Sequence, residues 1–404
     1  MLSSTAGVAT GLVGATGGQS PTATVVTQNA YLGFDVAELV RASSLAAVRD
    51  VTGGFLAGID PELYAARAEG IAAAVATADA DVVALQEAVL LRRQEPGDYG
   101  SESSESATDV LVDFLDRILT ALAARGLDYA VAAETVTNDF ELPAETGEGP
   151  VDLRITDRDV LLVRGDLDTA DPVTETYDAA LALPVPDSDR RLTVNRGYSA
   201  VDVTVESVPF RAVSTHLEAA SSRYRRRQAR ELLDALPSDR PVVVGGDLNS
   251  APGEDAYALL TRSLTDAYPE LRPDADGYTC CQATDLRNDD SLLDRRIDTL
   301  LYRGSVRPTA IGRVGHQPSD RTAAEVDGET VRVWPSDHAG VVGTFELSAP
   351  AATATPARTA SATSATATPG GTPSSAATGP GFGAGSAVLG LVLGVGTWLR
   401  RRTQ

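Results

Sequence analysis

The chain has 404 residues, 56 acidic and 34 basic side chains, and a formal charge of −22. Hydrophobic residues make up 43% of it, which excludes disorder throughout. Its two cysteines, adjacent at Cys280 and Cys281, exclude a disulfide scaffold and a Cys-rich zinc module.

A strongly acidic chain ordinarily argues against a polyanionic ligand. Here every basic residue is arginine, the acids are mostly aspartate, and aromatics are only 5%. Such a composition looks like adaptation to concentrated salt, where the screening length is about 3 Å at 1 M. Net charge then says little about the ligand. Length alone allows about two or three domains.

Residues 1–23 read as a leader. Ala6 to Ala15 is mildly apolar and runs into GGQSPTAT, like the end of a signal peptide, yet no basic residue precedes Arg41. A true start further upstream, or a disordered leader, would account for this. From 24 to 348 strands and helices intermix. VVTQNAYL and Val82–Gln86 read as strands, and Asp60-Pro61 caps a helix running towards Ala78. Leu111, Leu115, Leu119 and Leu122 predict a helix over Thr108–Arg125, stopped by Gly126. Glu141–Gly149 and Ser101–Ser106 read as surface loops. Strands are predicted at Val160–Val163, Ser199–Val205, Arg211–Ser214 and Val242–Gly245, with a helix over Arg223–Leu236. Thr299–Tyr302 and Gly340–Leu347 read as a final strand pair. The absence of a strict βαβ rhythm predicts α+β layers.

Residues 349–379 are almost only Ala, Thr, Ser, Pro and Gly, a flexible and plausibly O-glycosylated stalk. Residues 380–404 hold Pro380-Gly381-Phe382, an apolar run to Leu399 and three arginines. This is either a plain membrane anchor or a sorting signal. It resembles the archaeal PGF-CTERM signal, which implies removal by an archaeosortase-like enzyme and replacement by a lipid. Both readings put the folded part outside the cell, at its surface.

The chemistry lies in short polar groups that end apolar strands. PVVVGGDLNSAPGEDAY delivers Asp247 and Asn249 two residues apart, so that both can face one side. A carboxylate there can activate water or bind a cation, and an amide can hold an anionic oxygen. WPSDHAGVVGTFEL carries Asp337 and His338, FRAVSTHLEAA carries His216, ADVVALQEA carries Glu87, and TQNAYLGFD carries Asn29. The chain has only three histidines, and two stand beside these carboxylates. The third, His316, reads as a loop residue.

In that order the motifs resemble the endonuclease/exonuclease/phosphatase superfamily, over about Val25 to Leu347, with GDLNSAP and SDH the most specific blocks. The resemblance implies one domain, a four-layer α/β sandwich of two packed mixed sheets flanked by helices. It implies that Glu87, with Asn29 beside it and Asp337, holds a divalent metal. His338 would contact the scissile phosphate or act as acid/base, oriented by Asp298. Asp247 would orient and deprotonate the attacking water, and Asn249 would steady the phosphorane. His216 would pair with a carboxylate, Asp157 or its competitor Asp159, and Arg196 would touch the phosphate. Each Asp–His pair is expected to raise its histidine's pKa, so that two imidazolium groups and the metal supply positive charge. Oxygen ligands suit Mg²⁺, with Mn²⁺ or Ca²⁺ as alternatives.

Two features stand apart. Arg223, Arg225, Arg226, Arg227 and Arg230 form the one dense basic run, either a solvated helix surface spread over more than one face or a polyphosphate-binding patch. Cys280 and Cys281 form a vicinal disulfide or remain buried thiols. The expected activity is that of an exported, monomeric phosphodiesterase acting on DNA or RNA. The alternative is a phosphatase or phospholipase-C-type esterase on lipid or small phosphoesters, with residues 33–59 and 90–152, both bordering the site, shaping the choice.

Overall fold

The computed structural model describes residues 20–348, except 36, 102, 103, 188 and 190. The predicted stalk and tail lie outside these residues, as does most of the leader. Strand β1 (Thr22–Asn29) is followed by three helices, α1 (Ala37–Arg41), α2 (Leu45–Gly58) and α3 (Pro61–Ala78). Next come β2 (Val82–Gln86), β3 (Leu90–Gln94), β4 (Asp109–Asp113), α4 (Phe114–Ala124) and a long hairpin of β5 (Tyr129–Thr146) and β6 (Gly149–Arg164). The middle of the chain forms β7 (Asp168–Thr176), β8 (Leu181–Pro184), β9 (Arg191–Val194), β10 (Gly197–Val205) and β11 (Val208–His216). Then follow α5 (Ser222–Ala235), β12 (Val242–Asp247), α6 (Asp255–Leu260), β13 (Thr265–Asp266) and α7 (Ala267–Leu271). The last strands are β14 (Asp298–Arg303), β15 (Val306–Val314), β16 (Thr322–Val326), β17 (Glu329–Val333) and β18 (Gly340–Leu347).

Two mixed sheets carry the site. One runs β15-β18-β1-β2-β6-β3-β4, with β5 also on β6; the other runs β13-β14-β12-β11-β10-β7. Alternation along the strands sorts side chains to opposite faces. Val25, Val82 and Ala84 join Val203, Phe210, Val243 and Leu300 between the sheets. Their neighbours Val26, Val83 and Leu85 pack outward under Phe55, Tyr64, Ile71 and Ile118 of α2, α3 and α4. On the far side Val213, Val242 and Val244 are covered by Ala229 and Leu232 of α5 and by Ala256 and Leu259 of α6. Helix, sheet, sheet, helix is the expected four-layer arrangement, in a single domain. The two or three domains allowed by length are thereby corrected: the described residues form one domain around this pair of sheets.

Each sheet holds one parallel pair, β1 beside β2 and β11 beside β12. Parallel neighbours need a crossover, which α5 provides between β11 and β12. Between the sheets the approach is close: a Cβ on Gly245 would lie 2.9 Å from the Cβ of Thr27 and 3.1 Å from that of Ala84.

Three expectations change. Residues 109–113 form an edge strand on β3, and the helix starts only at Phe114, capped by Asp113 through Asp116 N. Its leucine spacing is real, but pairing with β3 claims the first turn. Glu141–Gly149 is mostly ladder, continuing the β5–β6 hairpin to Thr146 and Gly149. Thr299–Tyr302 and Gly340–Leu347 are strands of different sheets, β14 on β12 and β18 between β1 and β15.

Candidate active site

Asn29 and Gln86 are register partners at the ends of β1 and β2, and Glu87 follows directly. In the other sheet His216 pairs with Asp247, and Asp247 with Asp298, in one transverse row. The parallel pairs thus end at a common rim, and the loop before β18 brings Asp337 and His338 to it. Tyr31, Glu87 and Asn249 all take positive φ here, 66°, 57° and 47°. Such strain in residues other than glycine is held by the surrounding structure and clusters at functional sites.

Asp247 is 1% exposed. One carboxylate oxygen accepts from Asn249 N at 2.8 Å, and the other from Asn29 Nδ2 at 3.1 Å. The second oxygen also lies 3.6 Å from His216 Nε2 and 3.9 Å from His338 Nδ1. Burial, reinforced by the charge of Asp298, pushes Asp247 up to about 6. His338 Nδ1 meets Asp298 Oδ2 at 2.8 Å. Burial pulls that imidazole down, but Asp298, Asp337 and Asp247 outweigh it and leave its pKa well raised. His338 is therefore a cation held on a carboxylate.

His216 behaves oppositely. Its Nδ1 faces Arg196 Nη1 at 2.9 Å. A guanidinium only donates, so Nδ1 accepts and the ring is neutral, with its proton on Nε2. Burial first, then the charges of Arg196 and His338, lower its pKa well below the ordinary range. The expected His216–Asp157 pair is not formed. Asp157 lies 3.6 Å from Arg196 Nη1 and accepts from Thr137 Oγ1 at 3.0 Å, so Arg196 stands between them. Asp159, its competitor, is buried with both carboxyl oxygens unbonded, and burial and Asp157 raise its pKa well above the usual range. Arg196 is thus a support of His216 with 11% of its side chain exposed. Asn249 donates through Nδ2 to Leu217 O at 2.9 Å, beside His216 Nε2 at 3.1 Å.

Glu87 accepts from Asn29 Nδ2 at 3.1 Å and from Leu32 N at 2.8 Å. Burial, then the charges of Asp157 and Asp337, push it up to about 7. Carboxylates close enough to repel in a buried rim fit a divalent cation, whose charge offsets that repulsion. Asn29 Oδ1 accepts from Tyr31 N at 2.9 Å, and its amide hydrogens join Glu87 to Asp247. Asp247, Asp298 and His338 place ligand atoms within 4.8 Å of one another, and Glu87 and Asp337 are further oxygen donors of the rim.

Further residues fasten this rim. Arg67 of α3 is 2% exposed and donates to Ala30 O at 2.5 Å, Tyr31 O at 2.6 Å and Pro335 O at 3.3 Å. It lies against the rings of Tyr31, Tyr64 and Phe114. It therefore ties the Asn29 loop to the Asp337-His338 loop. Ser336 repeats the tie, donating to Asn29 O at 2.7 Å and accepting from His338 N at 3.1 Å. Thr279 Oγ1 accepts from Asp298 N at 3.1 Å. Glu218, 2% exposed, faces the charge of Arg196. An arginine on the apolar stripe of α3, between Tyr64 and Ile71, was the available signal. Cys280 and Cys281 are joined as a vicinal disulfide, with Cys281 Sγ 3.9 Å from His338 Nε2. His316 follows β15 in a loop, as expected.

A family model described as Endonuclease/Exonuclease/phosphatase family matches residues 53–338. Among solved structures, an endonuclease/exonuclease/phosphatase family protein from Bacteroides thetaiotaomicron is similar with TM-score 0.50 and 16% identity, covering 81% of this chain and 98% of that one. A mannosyl-6-phosphatase from Bacteroides thetaiotaomicron VPI-5482 gives 0.49 and 16%, over 80% and 99%. Humanized TDP2 of D. rerio gives 0.44 and 17%, over 80% and 98%. No curated protein matches the chain.

Proposed function

We propose that this chain, which belongs to the endonuclease/exonuclease/phosphatase family and is a phosphoester hydrolase of that superfamily, is an exported, divalent-metal-dependent phosphodiesterase acting on nucleic acid. The observation that carries the reading is the pairing of a pinned, partly basic carboxylate with a cationic histidine across one buried rim. Asp247, fixed by Asn249 N and Asn29 Nδ2, takes the proton of the attacking water. With its pKa near 6 it is ionised at neutral pH yet basic enough for the task. His338, held by Asp298, donates to a phosphate or leaving oxygen as charge develops there. Asn249 and the Nε2–H of His216 face the same rim and steady the anionic oxygens. Glu87 and Asp337 are the residues that would hold the metal. Mg²⁺ fits their oxygen chemistry, and when bound it supplies charge neutralisation for the dianionic transition state.

The sequence supports an extracellular location, with the monomeric enzyme carried on the 349–379 stalk. The 380–404 segment would anchor it in the membrane, or be exchanged for a lipid by an archaeosortase-like enzyme. Intact-mass measurement on the membrane-associated protein distinguishes retention of the tail from its exchange. Among the described residues no helix is long and apolar enough to cross a membrane.

The test is a substrate panel in multimolar salt: plasmid DNA, RNA, bis-p-nitrophenyl phosphate and a lipid phosphodiester, each with Mg²⁺ or with EDTA. Cleavage of DNA or RNA that EDTA abolishes is expected. Activity confined to the lipid would replace the nuclease reading by the esterase one. Activity indifferent to EDTA, or full turnover by Asp247→Ala, would falsify the chemistry itself.

A further inference from the structure

The dense arginine run is not spread evenly round its helix. Arg223, Arg226, Arg227 and Arg230 of α5 stand at i, i+3, i+4 and i+7, which is one helical face, and all four are exposed. Arg225 turns the other way, donating to Ala219 O and to Asn249 O at the active rim. The opposite side of α5 is seated on the second sheet through Ala229 and Leu232. With Ser222 and three acids, the four arginines line an open cavity of about 640 Å³.

Other exposed arginines, such as Arg93, Arg125 and Arg307, are paired with Asp109, Glu69 and Glu346. On this face the only ion pair among the described residues is Arg226–Asp255, stretched to 4.0 Å. Of the lining acids, Glu231 is spent on Asp178 N at 2.7 Å and Ala179 N at 3.2 Å. Four guanidinium groups thus share one exposed face on a chain of charge −22, with a single long ion pair among them. Guanidinium forks match phosphate oxygens bidentately. The four span about 10 Å along the helix axis, room for about two consecutive phosphates.

We propose that this face of α5 is an exosite for a nucleic-acid strand, which leaves the active rim past Asn249 and lays its phosphates along Arg223, Arg226, Arg227 and Arg230. The assignment rests on the nuclease reading and names what lies beyond the scissile bond.

The test compares the wild type with a variant carrying Arg223→Gln, Arg226→Gln, Arg227→Gln and Arg230→Gln, and with the double variant R226Q/R227Q. Each is assayed on bis-p-nitrophenyl phosphate, a dinucleotide and a long single-stranded oligonucleotide over a range of salt. The expected result is unchanged turnover of the two small substrates, which also shows that the variants fold. On the long strand kcat/KM should fall roughly 10- to 100-fold, with the double variant between. The salt dependence of its log should flatten by about 0.7 per arginine removed. Equal losses on small and long substrates, or no loss on the long one, overturn the exosite while leaving the nuclease reading intact. Competition by polyglutamate as effective as by a non-cleavable strand also overturns it. A wild type that hydrolyses bis-p-nitrophenyl phosphate but no strand overturns the nuclease reading, and the exosite with it.

Discussion

Replacing Asp298 by asparagine removes one negative charge and almost no volume. Its Oδ2 is the acceptor for His338 Nδ1 at 2.8 Å, in a pocket where Asp298 is 1% exposed. A charge-assisted hydrogen bond of this kind is worth about 1.5–3 kcal/mol, and one pKa unit is about 1.4 kcal/mol. His338, held well above the ordinary range chiefly by Asp298 against the pull of burial, should therefore fall by about one to two units. The sign follows directly: a general acid works below its own pKa, so the alkaline limb of the pH–rate profile moves to lower pH. Asp298 also helps burial raise Asp247, so the acid limb, set by the base, moves down as well. Turnover should drop about 10²- to 10⁴-fold, the usual contribution of a positioned acid. The assay is kcat and kcat/KM on bis-p-nitrophenyl phosphate with saturating Mg²⁺ across the pH range, for wild type and D298N. An unchanged profile with unchanged kcat would refute the idea that Asp298 acts through His338. A uniform loss with both limbs fixed would make Asp298 structural.

Asn29→Ala deprives Asp247 and Glu87 of a shared donor, and kcat/KM should fall about 10- to 100-fold, as steady-state kinetics would show; retained activity would make the bridge ornamental. Arg67→Met strands the carbonyls of Ala30, Tyr31 and Pro335. Denaturant unfolding should record a loss of about 3 kcal/mol or more, partly recovered in Arg67→Lys. For Asp159 the folded protein holds its proton to higher pH than the unfolded chain does, so stability is lost as pH rises beyond the ordinary carboxylate range, about 3.9. Asp159→Asn should thus raise the Tm of metal-free protein at neutral pH and have no effect below that range; equal Tm values at neutral pH would count against the buried carboxyl being a burden. The composition predicts a melting temperature highest in multimolar KCl, and a chain most stable in dilute buffer would contradict the halophilic reading.

What was legible in the sequence followed from local chemistry. β1, β2 and β12 announce themselves as apolar runs ending in Asn29, Glu87 and Asp247, because parallel strands buried on both faces leave polarity only at their ends. α3 carries its own cap in Asp60 with Pro61. The 109–113 segment misleads because its leucine spacing continues that of α4, while only the distant edge of β3 decides its backbone. The β5–β6 hairpin hides for a similar reason: its exposed end is polar enough to resemble a loop. The pairing of His338 with Asp298 follows from the family resemblance rather than from local chemistry, and it is formed. The state of His216 is not, because it depends on Arg196 intervening between it and Asp157. Those residues are remote from one another along the chain, and only the fold brings them near. Arg67 offers in sequence only its place on the apolar stripe of α3; its partners are backbone carbonyls, which sequence does not display.

Gly245 has a consequence for how such an enzyme can change. Glu87, proposed to hold the metal, belongs to one sheet and Asp247, the proposed base, to the other, so their separation is a distance between layers. That distance is gauged where Gly245 meets Thr27 and Ala84. A single methyl there would wedge the layers apart without touching any residue of the site. The two halves of the chemistry would then stand at a new spacing with all their side chains intact. Activity could thus be retuned from the interior, by a residue that never meets the phosphate.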